Sequence, residues 1–220
     1  MKKVGVIGAG YMSDHHLKVL TSIKTVDVTS ICSRTFDSAV KMSKKWNIKK
    51  VFKDHIEMLD SGEVDVVFIC PSVSSMFHIT KDALERSIPC FIEKPVSLSI
   101  EEAAVLASIA SKNNVKTAVG CNRRFISTIQ AAKKAADDLS ENQNYAAVMK
   151  AGNTTASYTS RSDAKGRWSV TLDCNQGRVT LCPLEKTVIE VGNDVQVINL
   201  SDIDEEFKPG LWNQNRSFFD

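Results

Sequence analysis

From Lys3 to about Gly120 the chain alternates short apolar runs with longer amphipathic stretches. The runs are "KVGVIG", "VDVTSIC", "VDVVFIC", "PCFIEK" and "VKTAVG", each separated from the next by a helix-like segment. That grammar predicts a parallel sheet with helical crossovers. The clearest helix spans Ile100 to Asn113: Ser99 and Glu102 are spaced as a capping box, and Val105, Leu106 and Ile109 supply its apolar positions. After Asn142 the period changes to two. Trp168, Val170, Leu172 and Cys174 point one way while Ser169, Thr171 and Asp173 point the other, as in an antiparallel sheet with one covered face. "CNQGRV" and "VGNDV" supply turns between "WSVTLDC", "RVTLCP", "KTVIEV" and "VQVINL". The boundary between the two patterns falls within 121–144, where "STIQAAKKAADDLSENQN" reads as a helix followed by a polar loop.

Composition narrows the partners. A chain of 220 residues with 43% hydrophobic content can bury one good core or two modest ones. With 28 Lys and Arg against 26 Asp and Glu, the net charge of +2 leaves no electrostatic footprint for nucleic acid or an anionic membrane. The cysteines at 32, 70, 90, 121, 174 and 182 form no Cys-x-x-Cys pair and mostly sit in apolar runs, which fits a reducing cytoplasm and no metal site. Met1-Lys2-Lys3 leads into only a short apolar stretch, so neither a signal peptide nor a membrane span is expected.

In "VGVIGAGYMSDHHLKVL", Gly8 and Gly10 follow the first strand and precede a helix. The first glycine permits a tight turn, and the second lets a pyrophosphate approach backbone N–H groups at the helix N-terminus. Ser13 takes the third position, where Gly or Ala is usual. The second strand ends in "ICSRTFD", where an acidic residue would hydrogen-bond a free ribose 2′-hydroxyl. Ser33 and Arg34 instead suit a 2′-phosphate, which favours NADP(H) and leaves NAD(H) possible. The alternative is that Ser33 and Thr35 cap the helix starting near Asp37 and Arg34 is solvated. In "CFIEKPVSLS", Glu93 and Lys94 go to opposite faces at a carboxyl end of the sheet. Lys94 there can donate to a substrate oxygen, or take its proton if its surroundings lower its pKa. The plainer reading is a solvated charge.

Together "GAGYMSDHH", "CPSVSSMFH", "IEKPVSLS" and "VGCNRRF" resemble the glucose-fructose oxidoreductase, inositol dehydrogenase and rhizopine catabolism (Gfo/Idh/MocA) family over residues 3 to 125. The resemblance implies an α/β Rossmann domain at 1–122, with helices on both faces of its parallel sheet. An abbreviated α+β domain with a mostly antiparallel sheet follows at 123–220. It also implies that Tyr11, Met12, Pro71 and His78 contact the cofactor, with Glu93, Lys94 and Pro95 on its nicotinamide and substrate side. The Lys94–Pro95 peptide is expected to be cis, and Asn122 and Arg124 to help build the cleft. His16 and His78 are expected to pack helices or form a cofactor shelf rather than to carry protons. "GRWSVTLDCNQGRVTLCPLEKTVIEV" and "DEEFKPGLWNQNRSFFD" resemble the late strands and final helix of members acting on sugars.

One departure matters. Members generally carry an Asp-x-Gly-x-His-type segment whose histidine moves the hydroxyl proton with the lysine, yet here all four histidines, at 15, 16, 55 and 78, precede Lys94. The family's helical insert and some of its sheet are expected to be missing from about 151–166, with Tyr158 or Asp163 as candidate substitutes, and Asp220 cuts into a helix that normally continues. The expected function is an NADP(H)-dependent oxidoreductase acting on a secondary hydroxyl or keto group of a sugar, sugar derivative or cyclitol, with Lys94 catalytic. The alternatives are a nucleotide-binding regulatory or partner subunit, or a truncated form of a longer dehydrogenase. A homodimer or homotetramer through the antiparallel sheet is expected.

Overall fold

The computed structural model describes residues 1–139, 150–151, 154–157 and 169–220. Two compact units emerge: Met1–Cys121 together with Gln214–Asp220, and Asn122–Asn213.

In the first unit, strands β1 (Lys2–Ile7), β2 (Val26–Cys32), β3 (Lys50–Phe52), β4 (Val66–Ile69), β5 (Cys90–Ile92) and β6 (Thr117–Val119) alternate with five helices. These are α1 (Tyr11–Leu20), α2 (Phe36–Trp46), α3 (His55–Asp60), α4 (Val73–Glu85) and α5 (Ile100–Lys112). The strands run parallel in the order β3-β2-β1-β4-β5-β6. The order reverses direction between β1 and β4, and ligands of such sheets bind beyond the carboxyl ends of the strands at that point. All four residues of β4 are buried, as a strand covered on both faces requires. The three-residue β3 was not legible as a strand from the apolar pattern.

The α5 start follows its capping signature: Ser99 Oγ accepts the Glu102 N–H at 3.1 Å, and the Glu102 carboxylate accepts the Leu98 N–H. Its core-facing stripe is buried Leu106 with partly buried Ile109 and Ala110, an i, i+3, i+4 set. Val105 is one residue, about 100° of helix, off Leu106 and stays 43% exposed, so it does not join the core as expected.

Gln214–Asp220, expected in the second domain, instead belongs to the first unit. Phe218 packs edge-on against Phe68 and Phe91, which are stacked on each other, and this aromatic cluster gives the segment its core.

The second unit opens with a 3-10 turn, Asn122–Phe125, and helix α6 (Ser127–Asp138). Strands β7 (Lys150–Ala151), β8 (Thr154–Ser157), β9 (Val170–Cys174), β10 (Gly177–Leu181), β11 (Lys186–Val191) and β12 (Asp194–Asn199) form an antiparallel sheet in sequence order. Val170, Leu172, Val179, Leu181 and Ile189 share one face and pack with Ile129, Ala132 and Ala135 of α6. The expected alternation of Val170 and Leu172 is therefore present, while Trp168 lies outside the described residues. So do Tyr158, Asp163 and the polar stretch after residue 139, and most of the expected shortening across 151–166. Helix α7 (Asp202–Glu206) supplies buried Asp204, whose carboxylate accepts the Ser127 N–H at the start of α6 and the Gly210 N–H, each at 2.7 Å. Helix α8 (Leu211–Phe219) follows.

Candidate functional site

The turn after β1 is shaped by contact with the end of β4. Gly8 has φ +109°, and a Cβ there would lie 2.3 Å from the Cys70 carbonyl oxygen. Only glycine fits both the conformation and the space. Gly10 differs: nothing lies within 4 Å of where its Cβ would stand. Gly10 is also the N-cap of α1, and no side chain caps that helix end. The chain thus leaves an open cradle at a helix N-terminus, where backbone N–H groups and the helix dipole favour an anion.

That cradle is one end of a cleft of about 760 Å³, within the roughly 300–1,000 Å³ typical of small-molecule and cofactor sites. Of the residues singled out in the sequence, Gly8, Gly10, Tyr11, Met12, Ser33, Arg34, Pro71 and His78 all line it. They come from the ends of β1, β2 and β4, the first turn of α1 and the second turn of α4, elements at and next to the switch in strand order. Thr35 occupies the N-cap position of α2 but makes no side-chain capping bond, so that hydroxyl is not committed to the helix. Cleft-lining Cys32 is pushed up to about 12 by burial, with the Asp54 charge adding to it. Burial also raises Cys70, with Glu93 adding to it, so both stay neutral thiols and neither offers a nucleophile.

The remaining predicted residues stand elsewhere. Glu93 is only 5% exposed and does not line the cleft. Its Oε1 accepts from His16 Nε2 at 2.9 Å and its Oε2 from the Lys94 N–H at 3.2 Å. On its other side the ring places Nδ1 3.0 Å from the side-chain nitrogen of Asn215 and 3.1 Å from its oxygen. His16 is fully buried and edge-on to Phe68 and Phe91, so it packs helix α1 onto the sheet, as expected. Lys94 and Pro95 are exposed and their peptide bond is cis. Ile69 of β4 pairs with Ile92 of β5, so Pro71 and Lys94 leave neighbouring strand ends two residues beyond that pair. Lys94 itself is not among the residues that line the cleft. Asn122 and Arg124 belong to the second unit. Asn122 donates its amide to the Pro209 carbonyl, and the Arg124 carbonyl accepts from the Gln130 side chain.

The sequence reading missed Ser38, Lys53, Asp54 and the serines Ser72, Ser74 and Ser75, all in the cleft wall. The serine run "PSVSS" at the start of α4 was visible but carries no spacing rule, and Lys53 follows the unread strand β3. Among the described residues no cluster of His, Cys, Asp and Glu fit to hold a metal ion occurs. No helix among them is long and apolar enough to cross a membrane.

Comparison with known proteins adds the following. Residues 2–121 match the family described as "Oxidoreductase family, NAD-binding Rossmann fold". The chain is similar to glucose-6-phosphate 3-dehydrogenase of Bacillus subtilis, 28% identical over 133 residues that cover 60% of this chain and 37% of that protein. It is similar to myo-inositol 2-dehydrogenase of Thermotoga maritima, 26% identical over 136 residues that cover 62% and 41%. The matches span between 36% and 42% of the length of these curated relatives. An oxidoreductase from Agrobacterium radiobacter, solved with NAD+, L-tartaric acid and magnesium, superposes with a TM-score of 0.78 at 14% identity, covering 96% of this chain and 85% of that one. Biliverdin reductase from Synechocystis sp. PCC 6803, solved with biliverdin and NADP+, gives 0.72 at 13% identity, covering 98% and 88%. At these identities the likeness to the solved structures is one of fold. The cleft at the switch point, the glycine turn that forms it and the match over residues 2–121 agree: the chain belongs to the Gfo/Idh/MocA oxidoreductase family, with its NAD-binding Rossmann fold.

Proposed function

We propose that the chain binds NADP(H) in preference to NAD(H) and serves the oxidation or reduction of a secondary hydroxyl or keto group on a sugar, sugar derivative or cyclitol. The observation that carries the reading is the joining of the open Gly10 cradle and Ser33-Arg34 in one cleft, with no carboxylate in the Ser33 or Arg34 position. Two relatives at 26–28% identity that act on a sugar phosphate and a cyclitol support the substrate class. The bound nicotinamide would supply the hydride donor or acceptor. Gly10 and the α1 N-terminus hold the pyrophosphate, and Pro71 and His78 wall the cleft. Lys94, which follows β5 as Pro71 follows the neighbouring β4, donates to the substrate oxygen and polarises the carbon it is bound to. The six free cysteines support a reducing compartment such as the cytoplasm.

The test is parallel calorimetric titration with NADPH and NADH, followed by NADPH oxidation assays over a panel of keto sugars and inososes. The expected outcome is tighter binding of NADPH and turnover with a cyclic polyol ketone, reduced about 100-fold or more in Lys94→Ala. Binding without turnover across the panel would instead identify a nucleotide-binding subunit. Failure to bind either nucleotide would overturn the reading.

A further inference from the structure

The end of the cleft away from the glycine turn is built from two adjacent strand ends. In the parallel pair β2/β3, Cys32 is the register partner of Phe52. Ser33 and Lys53 are therefore the first residues past the paired strands, side by side at the sheet's spacing of about 4.8 Å. Arg34 follows one and Asp54 the other, and all four line the cleft with Thr35 and Ser38.

The charged groups at this end divide cleanly. Asp54 caps α3, accepting the Glu57 N–H at 2.8 Å, and His55 is bonded to Asp82 at 2.8 Å. Arg34 and Lys53 are both exposed, and neither forms an ion pair among the described residues. Lys53 is held in place by its main chain, whose N–H reaches the Glu57 carboxylate, while its side chain extends free. Two uncommitted cations, with Ser33, Thr35 and Ser38 in the same cleft wall, present more positive charge than one guanidinium supplies. A phosphate monoester carries about −1.5 to −2 at pH 7 and offers three acceptor oxygens, so a single arginine leaves it under-neutralised.

We propose that Lys53 is a second residue that selects the 2′-phosphate of NADP(H), acting as a point charge beside the fork of Arg34. The proposal rests on the NADP(H) reading of the cleft. Lys53 comes from β3, so selection for the phosphate is shared between two strands rather than confined to the end of β2.

The test uses the full chain and its Lys53→Gln and Arg34→Gln variants, each titrated with NADPH and with NADH at about 0.1 M salt, where charges a Debye length of ~10 Å apart are still felt. Both side chains are exposed, so the thermal midpoints serve as a check that the fold is intact. Loss of a charge-assisted contact predicts that Lys53→Gln weakens NADPH roughly tenfold or more while NADH changes by less than about twofold. Raising the salt should narrow the gap between wild type and variant. An NADPH preference that survives Lys53→Gln but collapses in Arg34→Gln would overturn the role of Lys53 and leave the NADP(H) reading standing. A wild-type protein that binds both nucleotides equally, or neither, would overturn both.

Discussion

Gly8 and Gly10 stand two positions apart and are glycine for different reasons. Gly8 answers to the protein: its φ of +109° and the Cys70 carbonyl at 2.3 Å from an added Cβ leave no room for a side chain. Gly10 has an extended backbone, φ −100° and ψ −170°, and open space, so only a ligand has a use for its bareness. Gly8→Ala should therefore cost well over about 1 kcal/mol of stability, read by thermal or denaturant unfolding. Gly10→Ala should cost no more than about 1 kcal/mol, the helix-capping preference, while weakening nucleotide binding in the same titrations. Equal loss of stability in the two variants would remove the distinction. The glycine motif was plain in the sequence, but which glycine serves the fold and which the ligand was not. That depends on the β4 carbonyl that comes to rest against the turn. Lys53 was likewise hidden, since "NIKKVFKD" reads as a solvated basic stretch until β3 sets its register against β2.

Three elements are tied together by one buried polar chain. His16 of α1 lies between Glu93, at the end of β5, and Asn215 of α8, and the Glu93 carboxylate holds the N–H of Lys94. His16→Leu keeps the volume but leaves a buried carboxylate and a buried amide without their partner. The expected cost is about 2–3 kcal/mol, measured as a lower unfolding midpoint, with part of it returned when Glu93→Leu is added. An unchanged midpoint in His16→Leu would show that the chain of bonds contributes nothing net. The turn Glu93-Lys94-Pro95 was legible as a functional stretch, and the opposite directions of Glu93 and Lys94 followed from strand alternation. The partners of Glu93 were not, because no local pattern links residues as far apart as 16, 93 and 215.

At the scale of the molecule, the alternating half of the chain gave up its strands and helices readily, since buried parallel strands must be apolar on both faces. The return of Gln214–Asp220 to the first unit was illegible, because amphipathic spacing says that Phe218 needs a core but not which one. The second sheet carries a further expectation. Its face opposite α6 presents Val188, Val195 and Val197, and the last two are 63% and 48% exposed. We propose that a second copy of the chain covers this face, giving a homodimer or homotetramer. Light scattering should find an assembly at micromolar concentration, and Val195→Glu with Val197→Glu should return it to monomer. A wild-type monomer at that concentration would dismiss the proposal.

The division of the chain into units also bears on its synthesis. Residues 1–121 leave the ribosome first, yet their aromatic cluster lacks Phe218 and His16 lacks Asn215 until the segment from Gln214 onward has emerged. Everything from Asn122 to Asn213 is in effect a loop closed by the completion of the first unit, at an entropic cost that grows only slowly with its length. The nucleotide-binding unit therefore cannot mature in the order in which it is made: its last piece is delivered after the whole second unit has been translated.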